Sequence, residues 1–313
     1  MDEYYFERLS EDNFKDLFFL YSHTFDRNAS LPFLERKYDT DWTGARLVGF
    51  LAYHKASKQP AAYYGVFPVE LIYKDKKILG AQSGDTMTHP DHRGKGLFIK
   101  LASSTYELAR DLGIKLVFGF PNQNSYHGFV NKLQWTHYGN VAHFKLKASI
   151  VPLDKIIKKF SFLDFISLWI FPQKNLELNE LQFPNSLCSE QKVDGFVLHD
   201  SNFYKYKTSA KTVFIKEFYG VKCLIKIDGR MWVGDIESCT EDVFNKVILS
   251  LVRYAKKLLC SSIQISVMEN SNYYLWLLKN YSVDSTIAAG GISFDKTVPV
   301  EAFQFNGADF DTF

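Results

Sequence analysis

The stretch "HPDHRGKGLF", His89 to Phe98, places two glycines and two cations where a strand-like run gives way to a helix-like one. Glycine is a poor choice for opening a helix, because it gives up backbone entropy there. Bare backbone together with positive charge answers a different need. N–H groups at a helix start point outward, the helix dipole favours an anion, and glycine lets phosphate oxygens approach closely. The stretch therefore reads as an anion site, with a pyrophosphate as its natural guest and with Arg93 and Lys95 adding charge. A solvated basic turn is the plainer alternative. A Walker loop needs GxxxxGK[ST] and a dinucleotide fingerprint needs GxGxxG. Neither is present, which sets ATP and NAD aside.

The flanks support a strand-loop-helix-strand unit. "ILGAQSGDTMT" is a strand ending near Thr88, entered through the turn Lys74–Lys77. Leu97, Leu101, Leu108 and Leu112 keep one helical face, and Gly113 suits the helix end. "IKLVFGF" is the next strand and "NSYHGFVNKLQW" a short helix. Upstream lie a strand at Tyr4–Leu9 and a helix capped by Ser10 with Phe14, Leu17, Phe18 and Tyr21 on one face. A short helix near Leu31–Tyr38 and the strands "ARLVGFLAYH" and "AAYYGVFPVELIY" follow. The order predicts a mixed α/β fold with adjacent parallel strands around a crossover helix.

The chain has 313 residues, more than one hydrophobic core usually serves, so two domains are expected. We place an N-terminal domain over 1–149, a helical connector over 150–195 and a C-terminal domain over 196–313. The second domain carries strands "KTVFIKEF", "VKCLIKI" and "MWVGDI", with Asp228-Gly229 as a hairpin turn. A capping-box pattern at Ser238 and Glu241 opens a helix, followed by strand "SIQISV" and helix "NSNYYLWLLKNY". An internal repeat emerges. Gly84-Asp85 matches Gly234-Asp235, and Asn124-Ser125 matches Asn270-Ser271. The second copy lacks the Arg-Gly-Lys-Gly loop and reads as a structural copy without a ligand loop.

A net charge of +2, from 37 basic and 35 acidic residues, argues against a nucleic-acid partner. Cys188, Cys223, Cys239 and Cys260 show no CxxC spacing, so neither structural zinc nor a disulfide framework is expected, and a cytoplasmic setting fits. The acidic start "MDEYYFERLS" does not read as a signal peptide. The most apolar run, Phe160–Phe171, is too short to span a bilayer and holds Asp164. His89 and His92 sit at HxxH spacing on a turn, where they read as loop-bracing residues, so no metal is expected.

The loop, Arg93-Gly94-Lys95-Gly96-Leu97-Phe98, resembles the acetyl-CoA loop of the GCN5-related N-acetyltransferase (GNAT) family, Q/R-x-x-G-x-G/A after the fourth strand. Phe98 departs from the small residue usual there. The ending "NKLQW" is similar to the family's "EKLGF", with Gln134 in place of Gly. The two-copy layout looks like that of the enhanced-intracellular-survival type of these enzymes, in which only the first copy binds CoA. The resemblance implies a tandem of a ligand-binding GNAT domain and a GNAT-like domain, using acetyl-CoA as co-substrate. It implies that the backbone of Thr86, Met87 and Thr88 pairs with the pantetheine arm, and that Asn124 lies near the arm or the acetyl group.

The resemblance also frames the chemistry. The family's usual acid falls at Val130, which cannot donate a proton. Tyr126 lies one helical turn earlier and is the candidate replacement, with a pocket-lining or core role as the alternative. Asp85, on the key strand, is the candidate base or acceptor-holding group. Asp235 repeats it in the copy without a loop, so a structural role stands equally. Phe313 is a further candidate, since the survival-type enzymes use a terminal carboxylate as base. The acceptor is expected to be a small amine. An amino sugar held by aromatics such as Tyr63, Tyr64 and Trp135 is one form of it. A weakly active or inactive CoA-ester-binding module is the competing reading.

Overall fold

The computed structural model describes residues 3–25, 29–148, 193–209 and 212–313. The connector expected over 150–195, with its apolar run Phe160–Phe171, lies outside the described residues except for its last three. By contact the chain forms two compact units. One is Met1–Tyr138 with Ala288–Ala302, the other Gly139–Ile287 with Phe303–Phe313. The first unit therefore includes chain from both ends of the sequence, and the second takes the middle of the chain with the C-terminal tail. A single cut near residue 150 cannot express this, because the strands concerned pair over long sequence distances.

In the first unit β1 (Tyr4–Arg8), β2 (Val48–His54), β3 (Pro60–Tyr73) and β4 (Lys76–Thr88) form an antiparallel run. β5 (Leu116–Gly119) lies parallel to β4, after the crossover helix α3 (Leu97–Asp111), as the element order predicts. The late segment Gly290–Ser293 pairs antiparallel with β5 and completes this sheet. Helix α1 (Phe14–Phe25) begins three residues later than its expected start. Asn13 explains the shift: its side chain accepts the Ser10 N–H and donates to the Arg8 carbonyl, holding Ser10 in the turn. Leu20 is fully buried on the inner face of α1, where Phe18 was expected and is only partly buried. Between β3 and β4 the turn residues Lys74 and Asp75 have φ of +46° and +61°, the two-residue primed turn that suits twisted strands.

β3 is buried along most of its length because both faces of the sheet are covered. Successive side chains alternate between them. Tyr63 and Phe67 pack with α1 and helix α2 (Leu31–Lys37), whereas Ala62, Tyr64 and Val66 pack with α3, Phe129 and Trp135. Tyr63, Tyr64 and Trp135 are thus core residues, at most 3% exposed. This corrects the expectation that they hold a sugar ring. Helix α4 (Gln123–His127) is capped by Asn122, whose side chain accepts the N–H groups of Asn124 and Ser125.

In the second unit the strand order is β6, β11, β10, β9, β8. β6 (Thr136–Lys147, here from Gly139 on) runs antiparallel to β11 (Ser262–Met268). β10 (Met231–Ile236) is parallel to β11 and antiparallel to β9 (Val221–Ile227), which meets β8 (Val213–Phe218) in a hairpin. Asp228-Gly229 does form the turn between β9 and β10, with Gly229 at φ +65°. The other elements are β7 (Gly195–Val197), α5 (Ser201–Lys207), α6 (Glu241–Lys257), α7 (Asn272–Leu278), β12 (Val283–Ser293) and β13 (Phe303–Gln304). The expected capping box is not formed: Thr240 occupies the N-cap of α6 and no side chain caps it. Among the described residues no helix is long and apolar enough to cross a membrane.

The Gly-Asp repeat marks one structural feature in each unit. In β4 the register shifts so that Asp85 and Thr86 stand against the single residue Tyr64. In β10 Gly234 is the extra residue between the pairs Val233↔Ile225 and Asp235↔Leu224. Both are bulges, which bend a strand and strengthen its twist. The Asn-Ser pairs are not equivalent, because Ser271 caps α7 whereas Asn122, and not Asn124, caps α4.

The tail folds onto the second bulge. A Cβ on Gly307 would come within 2.9 Å of the Val233 carbonyl, and one on Gly234 would collide with the ring of Phe313. Buried His199 joins tail to strand, with Nδ1 2.6 Å from Asp235 and Nε2 2.8 Å from Asp309. Tyr204 and Asn306 donate to the same Asp235 carboxylate. Burial alone would push the imidazole pKa down. The two carboxylates outweigh it and raise the value from 6.5 to about 9. A raised histidine pKa stabilises the fold fully below pH 6.5, and that contribution is lost as pH rises through about 9. We predict that raising the pH from 6 to 10 costs roughly 3 kcal/mol of stability from this group. Urea titrations across that range should show the slope, and His199→Gln should flatten it.

Candidate functional site

The pairing between β4 and β5 stops short of the first bulge, and the gap between them is the candidate cleft. β5 is four residues long and meets β4 at only two positions, Ala81↔Val117 and Gln82↔Phe118. Beyond them Ser83–Thr88 continue along β3 alone, so their other edge is unpaired by any strand among the described residues. Unpaired N–H and C=O groups on a strand edge are a ready template for an extended ligand. Thr86, Met87 and Thr88 lie on this edge. Met87 points its side chain into the core with α1 and α2, leaving its backbone as the feature available to a ligand.

The edge leads into the glycine loop. A short 3₁₀ turn, Pro90–His92, precedes it, and α3 starts directly after it. Gly94 and Gly96 have φ of +75° and +70°, a region that favours glycine. No heavy atom of the protein lies within 4 Å of a Cβ built on either, so the space above them is open. Gly96 is the N-cap of α3 and no side chain caps the helix. The first N–H groups of a 15-residue helix therefore face open space beside exposed Arg93 and Lys95. Lys95 makes a surface ion pair with Glu3 at 3.6 Å. Phe98 turns inward: it packs on Gly128, on the Phe129 ring at 5.0 Å and edge-on to Tyr64 at 5.7 Å. Its bulk is spent in the core, which leaves its backbone amide in the first turn of α3.

Histidines surround the loop as braces. His92 Nδ1 pairs with the Tyr4 hydroxyl at 2.9 Å, and its ring lies 5.2 Å from His54 and 5.8 Å from His89. Burial and the two neighbouring histidines keep the His92 pKa below its usual value. No cluster of His, Cys, Asp and Glu among the described residues has the arrangement of a metal site.

Asp85 sits on the bulge at φ +49°, a conformation that a short polar side chain tolerates. Its Oδ1 accepts from Lys37 Nζ at 2.7 Å and its Oδ2 from the Tyr38 hydroxyl at 3.1 Å. The Lys37–Asp85 pair is more than nine-tenths buried. Burial, and then the Asp85 charge, raise the Tyr38 pKa well above its usual value, so Tyr38 stays a donor. Asp85 thus ties α2 to the bulge.

Tyr126 is half-buried on α4, and its hydroxyl is 2.8 Å from His137 Nδ1. His137 was not anticipated from sequence. The signal that could have found it is a histidine just past the "NKLQW" ending, at the start of a strand. The residues after Tyr126 do not continue an α-helix. Gly128–Lys132 form a π-turn, closed by the Leu133 N–H on the Gly128 carbonyl, so the simple i, i+4 relation between Tyr126 and Val130 does not hold. Gln134 has φ +58°, which explains why glycine is usual at that place in the resembling motif. Asn124 is exposed within α4. Phe313 lies in the second unit, its ring on Gly234.

Residues 6–137 match the model of an acetyltransferase (GNAT) domain family. No curated protein sequence matches the chain. Among solved structures the chain is similar to a GCN5-related N-acetyltransferase from Kribbella flavida, with TM-score 0.61 and 11% identity over 93% of this chain and 71% of that one. A second, from Anabaena variabilis, has TM-score 0.57 and 9% identity over 92% and 72%. Saccharomyces cerevisiae N-myristoyltransferase, solved with bound myristoyl-CoA, has TM-score 0.61 and 10% identity over 94% and 79%. At these identities the likeness concerns the fold.

The buried pair behind the bulge makes a prediction. Lys37→Met strands the Asp85 carboxylate and should cost about 3–5 kcal/mol in urea unfolding. Asp85→Asn leaves a polar partner for Tyr38 and should cost less.

Proposed function

We propose that the first unit binds acetyl-CoA along the free edge of β4 and transfers its acetyl group to the amine of a small acceptor. The observation that carries this is the continuity of the unpaired edge Ser83–Thr88 with an open, uncapped glycine loop at the start of α3. The loop amides from Arg93 to Phe98 cradle the pyrophosphate, with Arg93 and Lys95 supplying charge. The backbone of Thr86, Met87 and Thr88 pairs with the pantetheine arm. Asn124 lies near the arm.

In the transfer the amine nitrogen forms a C–N bond to the acetyl carbon and the C–S bond breaks. The electron pair leaves on sulfur, which takes a proton from Tyr126. The proton shed by the new amide nitrogen restores Tyr126 through His137, 2.8 Å from its hydroxyl. Asp85 positions the bulge, since both its oxygens are already engaged. The second half is a GNAT-like copy without the loop. This reading is supported by its own Gly-Asp bulge and its parallel pair β10–β11 around α6. Tyr63, Tyr64 and Trp135 lie in the core and do not form an aromatic seat for an amino sugar. The four scattered cysteines, without CxxC spacing, fit a cytoplasmic setting. The competing reading, a CoA-ester-binding module, draws on Val130 at the family's acid position.

Calorimetric titration of acetyl-CoA tests the cradle. Arg93→Glu with Gly96→Asp should weaken binding tenfold or more, about 1.4 kcal/mol; a folded wild type that binds no acetyl-CoA overturns the assignment. Tyr126→Phe separates the two readings. In the enzyme it should lower kcat by about 10²-fold with acetyl-CoA affinity kept. No turnover by wild type on any amine of a screen would favour the binding module.

A further inference from the structure

Beneath the cleft runs a chain of side-chain hydrogen bonds whose direction is set. Trp135 Nε1 is 2.8 Å from the Tyr106 hydroxyl, which is 3.0 Å from the Tyr64 hydroxyl, which is 3.0 Å from Ser83 Oγ. Trp135, Tyr106 and Tyr64 are all buried, whereas Ser83 is only half-buried. An indole N–H can only donate, so the Tyr106 oxygen accepts from it. The one remaining acceptor that Tyr106 meets is Tyr64. Donating there avoids a buried unpaired hydroxyl, which would be costly. Tyr64 accepts that bond and must pass its own proton to Ser83 for the same reason. The Ser83 oxygen accepts, and its O–H is left to point away from the core.

Ser83 stands where the cleft closes, one residue past the last β4–β5 pair, Gln82↔Phe118. Gly119 faces it on β5: a Cβ there would lie 3.1 Å from the Trp135 ring and 3.4 Å from the Ser83 Cβ, so the glycine lets Trp135 pack beside Ser83. At about 3.3 Å per residue, β4 covers roughly 17 Å from Ser83 to Thr88, a span that an extended pantetheine arm reaches from the loop. The reacting end of such an arm arrives at Ser83. The half without a loop has no such donor, because buried Val233 precedes its Gly234-Asp235.

We infer that Ser83 is a catalytic residue that donates its hydroxyl proton in a hydrogen bond to the thioester carbonyl oxygen of the bound acyl-CoA, with Tyr64, Tyr106 and Trp135 as positioning residues that aim it. The inference rests on the reading above that the cleft holds acetyl-CoA. Such a donor strengthens as the carbonyl becomes an oxyanion.

The test uses the whole chain with two probes, acetyl-CoA labelled with ¹³C at the carbonyl and S-ethyl-CoA, which lacks that oxygen. Isotope-edited infrared spectra of the wild-type complex should show the carbonyl stretch lowered relative to free acetyl-CoA. Ser83→Ala should return it toward the free position, Ser83→Thr should keep it low, and Tyr64→Phe should lie between. Ser83→Ala should weaken acetyl-CoA binding by about two- to tenfold and leave S-ethyl-CoA binding unchanged. A carbonyl stretch unaltered by Ser83→Ala, in a variant that still binds S-ethyl-CoA, overturns the inference alone. Failure of wild type to bind either probe overturns the acyl-CoA reading, and the inference with it.

Discussion

The first unit depends on the contact between Asp85 and the Lys37–Tyr38 pair. A strand with two residues against one must bend, and a non-glycine at φ +49° must be held there. The buried ammonium and the phenol hydroxyl hold it, one on each carboxylate oxygen. β4 pairs with β5 only at Ala81 and Gln82, ahead of the bulge, and β5 ends at Gly119. The cleft is therefore a consequence of strand length, and the backbone at its edge is left without a strand partner. The loop that follows adds an unneutralised helix start at the far end of the same edge.

The second unit solves the same problem of a bulged strand in a different way. Asp235 is again the residue on the bulge, but its partners are His199, Tyr204 and Asn306. Asn306 and Asp309 form a reciprocal cap that shapes the tail, and Lys207 and Lys226 bind its carbonyls at Phe310 and Thr312. Here the protein's own chain lies over the bulge. In the first unit the groups on the bulge come from Lys37 of α2 and from Tyr38 just after it. A bulge thus stands beside an open strand edge in one unit and under the protein's own chain in the other.

Much of this was legible in sequence where it rested on local chemistry. The glycine loop, the parallel pair around α3, the Asp228-Gly229 turn and the Gly84-Asp85 match each depend on a few adjacent residues. The misreadings share a cause. Ser10 and Ser238 looked like caps, but Asn13 and Thr240 sit at the true starts, and only the three-dimensional path of the chain decides between neighbouring polar residues. Tyr63, Tyr64 and Trp135 looked like a ligand surface because aromatic content does not say whether a sheet is covered on one face or both. The strand supplied by Gly290–Ser293 was invisible because it pairs with Leu116–Gly119 across most of the chain. His137 was missed because its partner Tyr126 reaches it through a π-turn, which no helical periodicity anticipates.

Two departures from the resembling motif now differ in meaning. Phe98 stands where a small residue is usual, yet its ring leaves the loop and fills the space over Gly128 against Phe129 and Tyr64. The large residue and the glycine compensate each other, and the amide at position 98 is unaffected. Val130 has no such compensation in place. A valine cannot protonate a leaving thiolate, and the π-turn changes which residues share its face. Any acid must come from another position, and among the residues at the mouth of β5 the hydroxyl already paired with a titratable partner is Tyr126 on His137. The loop thus keeps its open backbone through repacking, whereas an acid at 130 would have to be supplied from another position.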